Sequence, residues 1–464
     1  MLGELSRRVL HPLWALTEGS GRLRYLQQFE ESQWRDQEVL RAEALARLRG
    51  VLAHAVARCR YYRRQAETHG LRPEDIRELE DLVRWPMLDK AAVRAHGREL
   101  LAEGWPEDDL LPSFTGGSTQ AALQVWRHRE LVASRAAGMW RHDRWSGWDL
   151  GRRRAVLWGS VRDLWARGSW RGRVQQALLS RTLELNGTEL GPDTVAEFVT
   201  QLQRFRPETM LAFAQHMATF ARLAAARGLA PAPLRGIITV AEVLSPDDRS
   251  LIESIFDCPV YNRYACREVG VIASQCPERG ALHINAESVL VEFVRNGRHV
   301  APGELGEVVV TDLRGLAMPL IRYRLGDVGS PVAGVCRCGR GLPLMAPVSG
   351  RVADFIVRAD GEPVAGVPLV QEVLAARPAI SQLQLLQRAP GEVVAKVAPG
   401  ERFCDRELEA VRAALAARLG EKMVYRFEVV EAIPLEERSG KYRFAISEVS
   451  PAAAFGNDPA GVGG

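Results

Sequence analysis

The sequence has no uninterrupted apolar run of the roughly 20 residues that a membrane helix needs. Its most apolar stretch, residues 210–230, is broken by His216, Arg222 and Arg227 and reads as an amphipathic helix. The N-terminus, MLGELSRRVLHPLWAL, is charged early and lacks the apolar centre of a signal peptide. Cysteine is sparse. Seven residues, an odd number at irregular spacing, argue against a disulfide scaffold and point to a reducing compartment. The expectation is a cytoplasmic protein with no membrane partner. Charge of one sign is lacking too: a net +4 over 464 residues gives no whole-chain case for nucleic-acid binding. The P-loop pattern GxxxxGK[ST] is absent, because no lysine follows the glycine-rich stretch Thr115-Gly116-Gly117-Ser118-Thr119.

What is present is a globular composition, 47% hydrophobic and 25% charged, in a chain too long for one core. The expected class is α/β, with a large N-terminal domain over residues 1–352 and a small mobile α+β domain over 353–450. Within the first, residues 1–105 read as a helical leader, because Leu45, Leu48, Leu52 and Val56 recur near helical spacing. Residues 106–283 read as an α/β core and 284–350 as a β subdomain with Gly-containing turns. The tail 451–464 is rich in small residues and reads as disordered. Residues 126–181 carry seven tryptophans and thirteen arginines against four acids. Such interleaving can bind single strands, but tryptophan mostly serves burial, and a basic face over a Trp-rich core is the reading preferred here. No specific nucleic-acid partner is expected.

The stretch Tyr261–His283, YNRYACREVGVIASQCPERGALH, organises the chain. A short strand, Cys258–Tyr261, leads to Tyr264-Ala265-Cys266-Arg267-Glu268, and an acid just past a strand end is well sited to hold a metal on a phosphate. The apolar Leu234–Val240, then Ala241-Glu242, then a helix opened by Ser245-Pro246-Asp247-Asp248, make a strand–helix–strand unit. That unit implies a parallel sheet with functional residues at strand C-terminal ends, and so places Glu242 and Tyr264 on one rim. Pro192–Gly228 reads as helical throughout. The Gly/Ser loop at 115–119 can present N–H groups and hydroxyls to an anion. Cys276, His283, Cys336 and Cys338 form C-x6-H…C-x-C, and three thiolates with an imidazole suit a closed structural zinc site.

Four motifs stand in fixed order: TGGSTQ at 115–120, YACRE at 264–268, YRLGD at 323–327 with GRVAD at 350–354, and SGK at 439–441. In this order the chain resembles the adenylate-forming enzymes, and within them the phenylacetate–CoA ligase branch and its CapK-like proteins. GELGE at 303–307, AMPLIRY at 317–323 and CRCGR at 336–340 are close to that branch. The resemblance implies that Thr115, Gly116, Gly117, Ser118 and Thr119 cradle ATP phosphates. It implies that Glu268 holds Mg²⁺, that Asp327 accepts from the ribose, and that Arg351 reaches the nucleotide near a hinge. Glu242 and Tyr264 complete the nucleotide-binding set, and Lys441 enters from the small domain to stabilise developing charge. The implied reaction activates an organic carboxylate, aryl acids included, as acyl-AMP and passes it to a thiol, with CoA the acceptor. An amine or carrier-protein acceptor is the second reading. A third is a non-catalytic nucleotide-binding protein, because Gln120 and Ala122 stand where the family loop has glycine and proline. The carboxylate pocket is expected near Trp158, Gly159, Ala241 and Tyr264. The sequence leaves a homodimer open.

Overall fold

The computed structural model describes residues 2–114, 123–158, 179–187, 190–434, 443–449 and 455. The chain opens with helices: α1 (Leu2–Leu5), a π-helical turn (Ser6–Leu10), α2 (His11–Thr17), α3 (Arg22–Ser32), α4 (Gln37–Arg58), α5 (Arg60–His69) and α6 (Lys90–His96). In α4 the periodic Leu48 and Leu52 are fully buried, joining a core that includes Tyr62, Trp85 and Tyr323. The leader is therefore packed onto the body of the protein. Tyr62 ties it there, its hydroxyl donating to Pro319 O at 2.9 Å.

A hairpin of β1 (Leu111–Phe114) and β2 (Gln124–Arg127) precedes α7 (Arg129–Trp145). Then come β3 (Arg154–Trp158), β4 (Thr182–Asn186), α8 (Pro192–Phe205), β5 (Thr209–Phe213), α9 (Ala214–Ala226), β6 (Gly236–Val240), α10 (Pro246–Phe256), β7 (Val260–Cys266), β8 (Gly270–Gln275) and β9 (Leu282–Ile284). The run 192–228 is not helical throughout: Thr209–Phe213 is a strand, and it is central in the sheet. A fully buried parallel strand is a short apolar run, and by pattern alone it merges with an adjoining amphipathic helix.

Strands β4-β3-β5-β6-β7 are mutually parallel, and β7-β8-β9 continue antiparallel to β15 (Leu344–Met345) and β14 (Pro331–Val332). The described residues thus form a nine-stranded mixed sheet. A second sheet, all antiparallel, has the order β11 (Arg298–His299), β10 (Val289–Arg295), β12 (Gly306–Asp312), β13 (Tyr323–Gly329) and β16 (Gly350–Arg351). Residues 319–322 lead into β13.

From Phe355 the chain builds β17 (Phe355–Val357), β18 (Pro363–Ala365), α11 (Gly366–Ala376), β19 (Ile380–Gln387), β20 (Glu392–Pro399), α12 (Asp405–Leu419), β21 (Val424–Val429) and β22 (Ala445–Ser447). The sheet order is β21-β20-β19-β22, with α11 and α12 on it and a separate apolar core of Leu383, Leu385, Val411 and Leu415. Of the tail only Phe455 is described. It is buried at 1% exposure, edge-on to Phe355 at 5.5 Å, and its carbonyl accepts from Asn296 N.

Three of the five described tryptophans of 126–158 face inward, and Trp126 and Trp158 are half-buried. Trp140, Trp145 and Trp148 are buried, and Arg154 lies over Trp148. Their arginines are largely paired: Asp143, fully buried, accepts from Arg154 at 2.8 Å and from Arg263 at 2.6 Å. This interleaving is a core with its charges satisfied.

Candidate functional site

Strand β7 runs further than the sequence suggested, through Tyr264 to Cys266, before turning back at Glu268 into β8. The turn lies beside β13 of the second sheet, so the YACRE and YRLGD motifs meet. The Tyr264 hydroxyl donates to Asp327 Oδ2 at 2.7 Å, and the Tyr323 hydroxyl donates to Glu268 Oε1 at 3.2 Å. Glu268 is buried, and its Oε2 takes no hydrogen bond from a described residue. Arg351 pairs with Asp327 across β16–β13, Nε to Oδ1 at 4.0 Å. Lys90, at the start of α6, donates to Leu325 O at 3.2 Å.

One buried acid, Glu268, one half-buried acid, Asp327, two tyrosines and two cations therefore converge from α6, β7, β13 and β16. Burial pushes Asp327 above the usual carboxylate range, against the pull of Arg351, the Tyr264 hydroxyl and Lys90. Burial and Asp327 push the Tyr264 hydroxyl well above its ordinary value, which keeps it a proton donor. Cys266 is likewise pushed up by burial and by Glu268, so it stands as a neutral thiol, unsuited to nucleophilic attack.

Arg135, from α7, bridges the site to the second sheet: it donates to Glu268 O at 2.6 Å and to Asp312 at 2.7 Å. Arg267 donates to Phe114 O at 3.1 Å, at the last described residue before Thr115. The expected loop residues Thr115, Gly116, Gly117, Ser118 and Thr119 lie outside the described residues, as do Lys441, Gly159 and Gln120. Glu242 sits at the end of β6, where its Oε2 accepts from Gln215 N at 2.9 Å and so caps α9. The preceding Ala241 has φ +71°, a left-handed conformation that costs a non-glycine residue about 1 kcal/mol. Beside it, at the ends of β3 and β5, Trp158 and Phe213 pack at 4.5 Å, and Phe213 meets His216 at 5.5 Å. Sequence reasoning assigned no role to Tyr323, Arg135 or Lys90. Tyr323 lay within a quoted motif, but nothing in sequence shows that two motif tyrosines each carry one acid.

Cys276, His283, Cys336 and Cys338 come together, with their donor atoms all within 4.8 Å of one another. Cys276 Sγ lies 3.7 Å from Cys336 Sγ, and Cys338 Sγ lies 3.4 Å from His283 Nε2. A tetrahedral zinc with Zn–S near 2.3 Å and Zn–N near 2.0 Å requires about 3.8 and about 3.5 Å for these separations. The donor set fits the ion. His283 is held down to about 4 by burial, then by Arg340 and Arg141, so its ring is neutral and able to ligate. Burial pushes the Cys276 thiol up to about 12 in the ion's absence. Trp145 packs edge-on to His283 at 5.4 Å, and Arg340 covers Trp145 at 4.6 Å. The cluster is walled on that side by the leader and α7.

The CapK C-terminal domain family matches residues 356–448. A phenylacetate–coenzyme A ligase of Thermus thermophilus is 26% identical over 340 residues, covering 69% of this chain and 72% of that protein. Protein CapK of Staphylococcus aureus is 25% identical over 54% of this chain and 55% of its own length. Among solved structures, 2-hydroxyisobutyryl-CoA ligase in the postadenylation state superposes with a TM-score of 0.68 at 20% identity, over 88% of this chain and 89% of that one. The chain is thus similar in sequence to phenylacetate–coenzyme A ligases and to CapK, carries a CapK C-terminal domain over residues 356–448, and shares the fold of 2-hydroxyisobutyryl-CoA ligase.

Proposed function

We propose that this protein is an ATP-dependent, AMP-forming carboxylate–CoA ligase. One observation carries the reading: the acids Glu268, buried, and Asp327, half-buried, each steadied by a tyrosine, sit beside Arg351 at the entry to the C-terminal unit. In the reaction R–COO⁻ displaces pyrophosphate from ATP to give acyl-AMP. The thiol of CoA then takes the acyl group, releasing AMP and a proton.

Asp327 would accept both ribose hydroxyls, and Tyr264 fixes its carboxylate for that task. Glu268, with Oε2 open and Tyr323 on Oε1, would hold Mg²⁺, which supplies neutralisation of phosphate charge when bound. Thr115–Thr119 would take the phosphates and Lys441 the charge that develops at the α-phosphate. Trp158, Phe213 and Ala241 would border the acyl group, with aromatic packing that favours an apolar or aryl acid. Cys276, His283, Cys336 and Cys338 would hold a structural zinc, pinning β9 to the CRCGR turn away from the chemistry. We place the protein in the cytoplasm, where ATP and CoA are available. Among the described residues no helix is long and apolar enough to cross a membrane.

The test is pyrophosphate release from ATP and Mg²⁺ across a panel of aryl and fatty acids, with Lys441→Ala in parallel. Release that depends on one acid and is lost in the variant supports the proposal. ATP binding without release under any acid would instead support a non-catalytic nucleotide-binding protein, and Gln120→Gly is then the first reversion to make.

A further inference from the structure

Where the chain passes from the large unit to the small one, a single carboxylate touches both. Gly350 and Arg351 pair with Val328 and Asp327, so the large unit holds the chain up to Arg351. A 3₁₀ turn, Val352–Asp354, follows. Asp354 then bonds in both directions. Its Oδ2 accepts from Arg351 N at 3.1 Å, on the large unit. Its Oδ1 accepts from the Arg443 guanidinium at 2.8 Å, on the small unit. The small unit also grips the Asp354 backbone. A Cβ on Gly366, the first residue of α11, would lie 2.6 Å from Asp354 O and 2.4 Å from the Ala445 Cβ.

Arg443 is held at its main chain as well. Gln384 of β19 donates Nε2 to Arg443 O at 2.7 Å, and Leu385 N donates to Phe444 O at 2.9 Å. The Arg443 and Asp354 side chains are 24% and 16% exposed, so water screens this charge-assisted bond less than a surface ion pair. Arg295 and Glu362 also pair across the junction, but Glu362 is 60% exposed and that pair is the weaker restraint. With Arg351 clamped on one side and Asp354 on the other, a turn of the small unit falls on the backbone between them. The Arg351 N–Asp354 Oδ2 bond closes over those same torsions, so a large turn breaks it. Lys441 stands two positions before Arg443, and two residues of chain span at most about 7 Å. The Arg443 anchor therefore sets how far the lysine can stray. We infer that Arg443 is a positioning residue for acyl-AMP formation. By aiming Asp354 at Arg351 N, it latches the strand that follows Lys441 to the backbone beside the ribose acid Asp327. The inference rests on the ligase reading above.

The test compares the two half-reactions in the full-length protein. In Arg443→Gln, kcat for pyrophosphate release should fall by about tenfold or more, because a displaced charge-stabilising group loses its effect steeply with distance. KM for ATP should stay within about twofold, since Tyr264 still fixes Asp327. Acyl transfer to CoA from supplied acyl-AMP should fall by less than about twofold, because it follows the turn that breaks the latch. Arg443→Lys keeps the charge and should lie between wild type and Arg443→Gln. Asp354→Asn should share the defect, and it decides the matter if Arg443→Gln does not fold. Without substrates, protease cleavage near residues 352–356 should be at least about threefold faster in both Arg443→Gln and Asp354→Asn. An unchanged kcat, or equal loss of both half-reactions, would overturn the proposal and leave Arg443 a merely structural residue. If the wild type releases no pyrophosphate with any acid, the ligase reading fails by itself and cleavage alone decides the latch. Faster cleavage then supports it, and cleavage at the wild-type rate overturns it.

Discussion

Asp327 is raised by burial and lowered by Arg351, Tyr264 and Lys90, with burial winning. A carboxyl with a raised folded pKa contributes stability below the ordinary carboxylate range and loses it as pH rises through the folded value. Function runs the other way, because the ribose hydroxyls need the ionised form. Nucleotide affinity should therefore fall on acidification at a higher pH than an ordinary aspartate would give. Tyr264→Phe removes a hydrogen bond that favours the carboxylate, so it should move that acid limb further upward, as read by nucleotide titration across pH. Asp327→Asn should abolish nucleotide binding while leaving thermal stability at neutral pH unchanged or higher. A large fall in melting temperature would show that the charge itself holds the fold. At the cysteine cluster, purified protein should contain stoichiometric zinc by elemental analysis. Cys276→Ser should lose most of it and melt earlier, and a zinc-free wild type of equal stability would remove the metal from the account.

Among the elements, α10 shows a local rule carried into the structure unchanged. Ser245 accepts from Asp248 N at 3.0 Å, with Pro246 at the first helical position and two acids in the first turn. Ser245→Ala should cost about 1 kcal/mol in chemical denaturation, without moving β6, which ends at Val240. That helix was legible because caps are local. Strand β5 was not. Thr209–Phe213 is apolar and runs into α9 without a polar break, and only its pairing with β3 and β6 makes it extended. Missing it hid Phe213, whose position against Trp158 depends on adjacent strand ends.

Across the whole molecule, the junction between the large and small units has its own apolar cluster: Val328, Val352, Phe355, Val357 and Phe455. Phe455 adds a buried ring from beyond the last strand to a hinge that the proposed reaction requires to turn. Phe455→Ala should destabilise the C-terminal unit by roughly 3 kcal/mol, at the lower end of buried Phe truncations. It should also increase protease cleavage near residues 352–356. Unchanged proteolysis would show that the ring does not restrain the hinge.

The sequence by itself determined the class, the motif order, the acids Glu268 and Asp327 and the four zinc-ligand candidates. These rest on residue types at set positions and on caps and glycine turns that act over a few residues. Only the tertiary structure decided which side chains meet. It gave each acid its tyrosine, set Arg135 under Glu268, made Glu242 a helix cap, brought Cys276 to Cys336 across 60 positions, and left Glu287 Oε2 without a donor. Such contacts join residues tens to hundreds of positions apart, and their energies depend on burial and distance, which spacing along a chain does not encode.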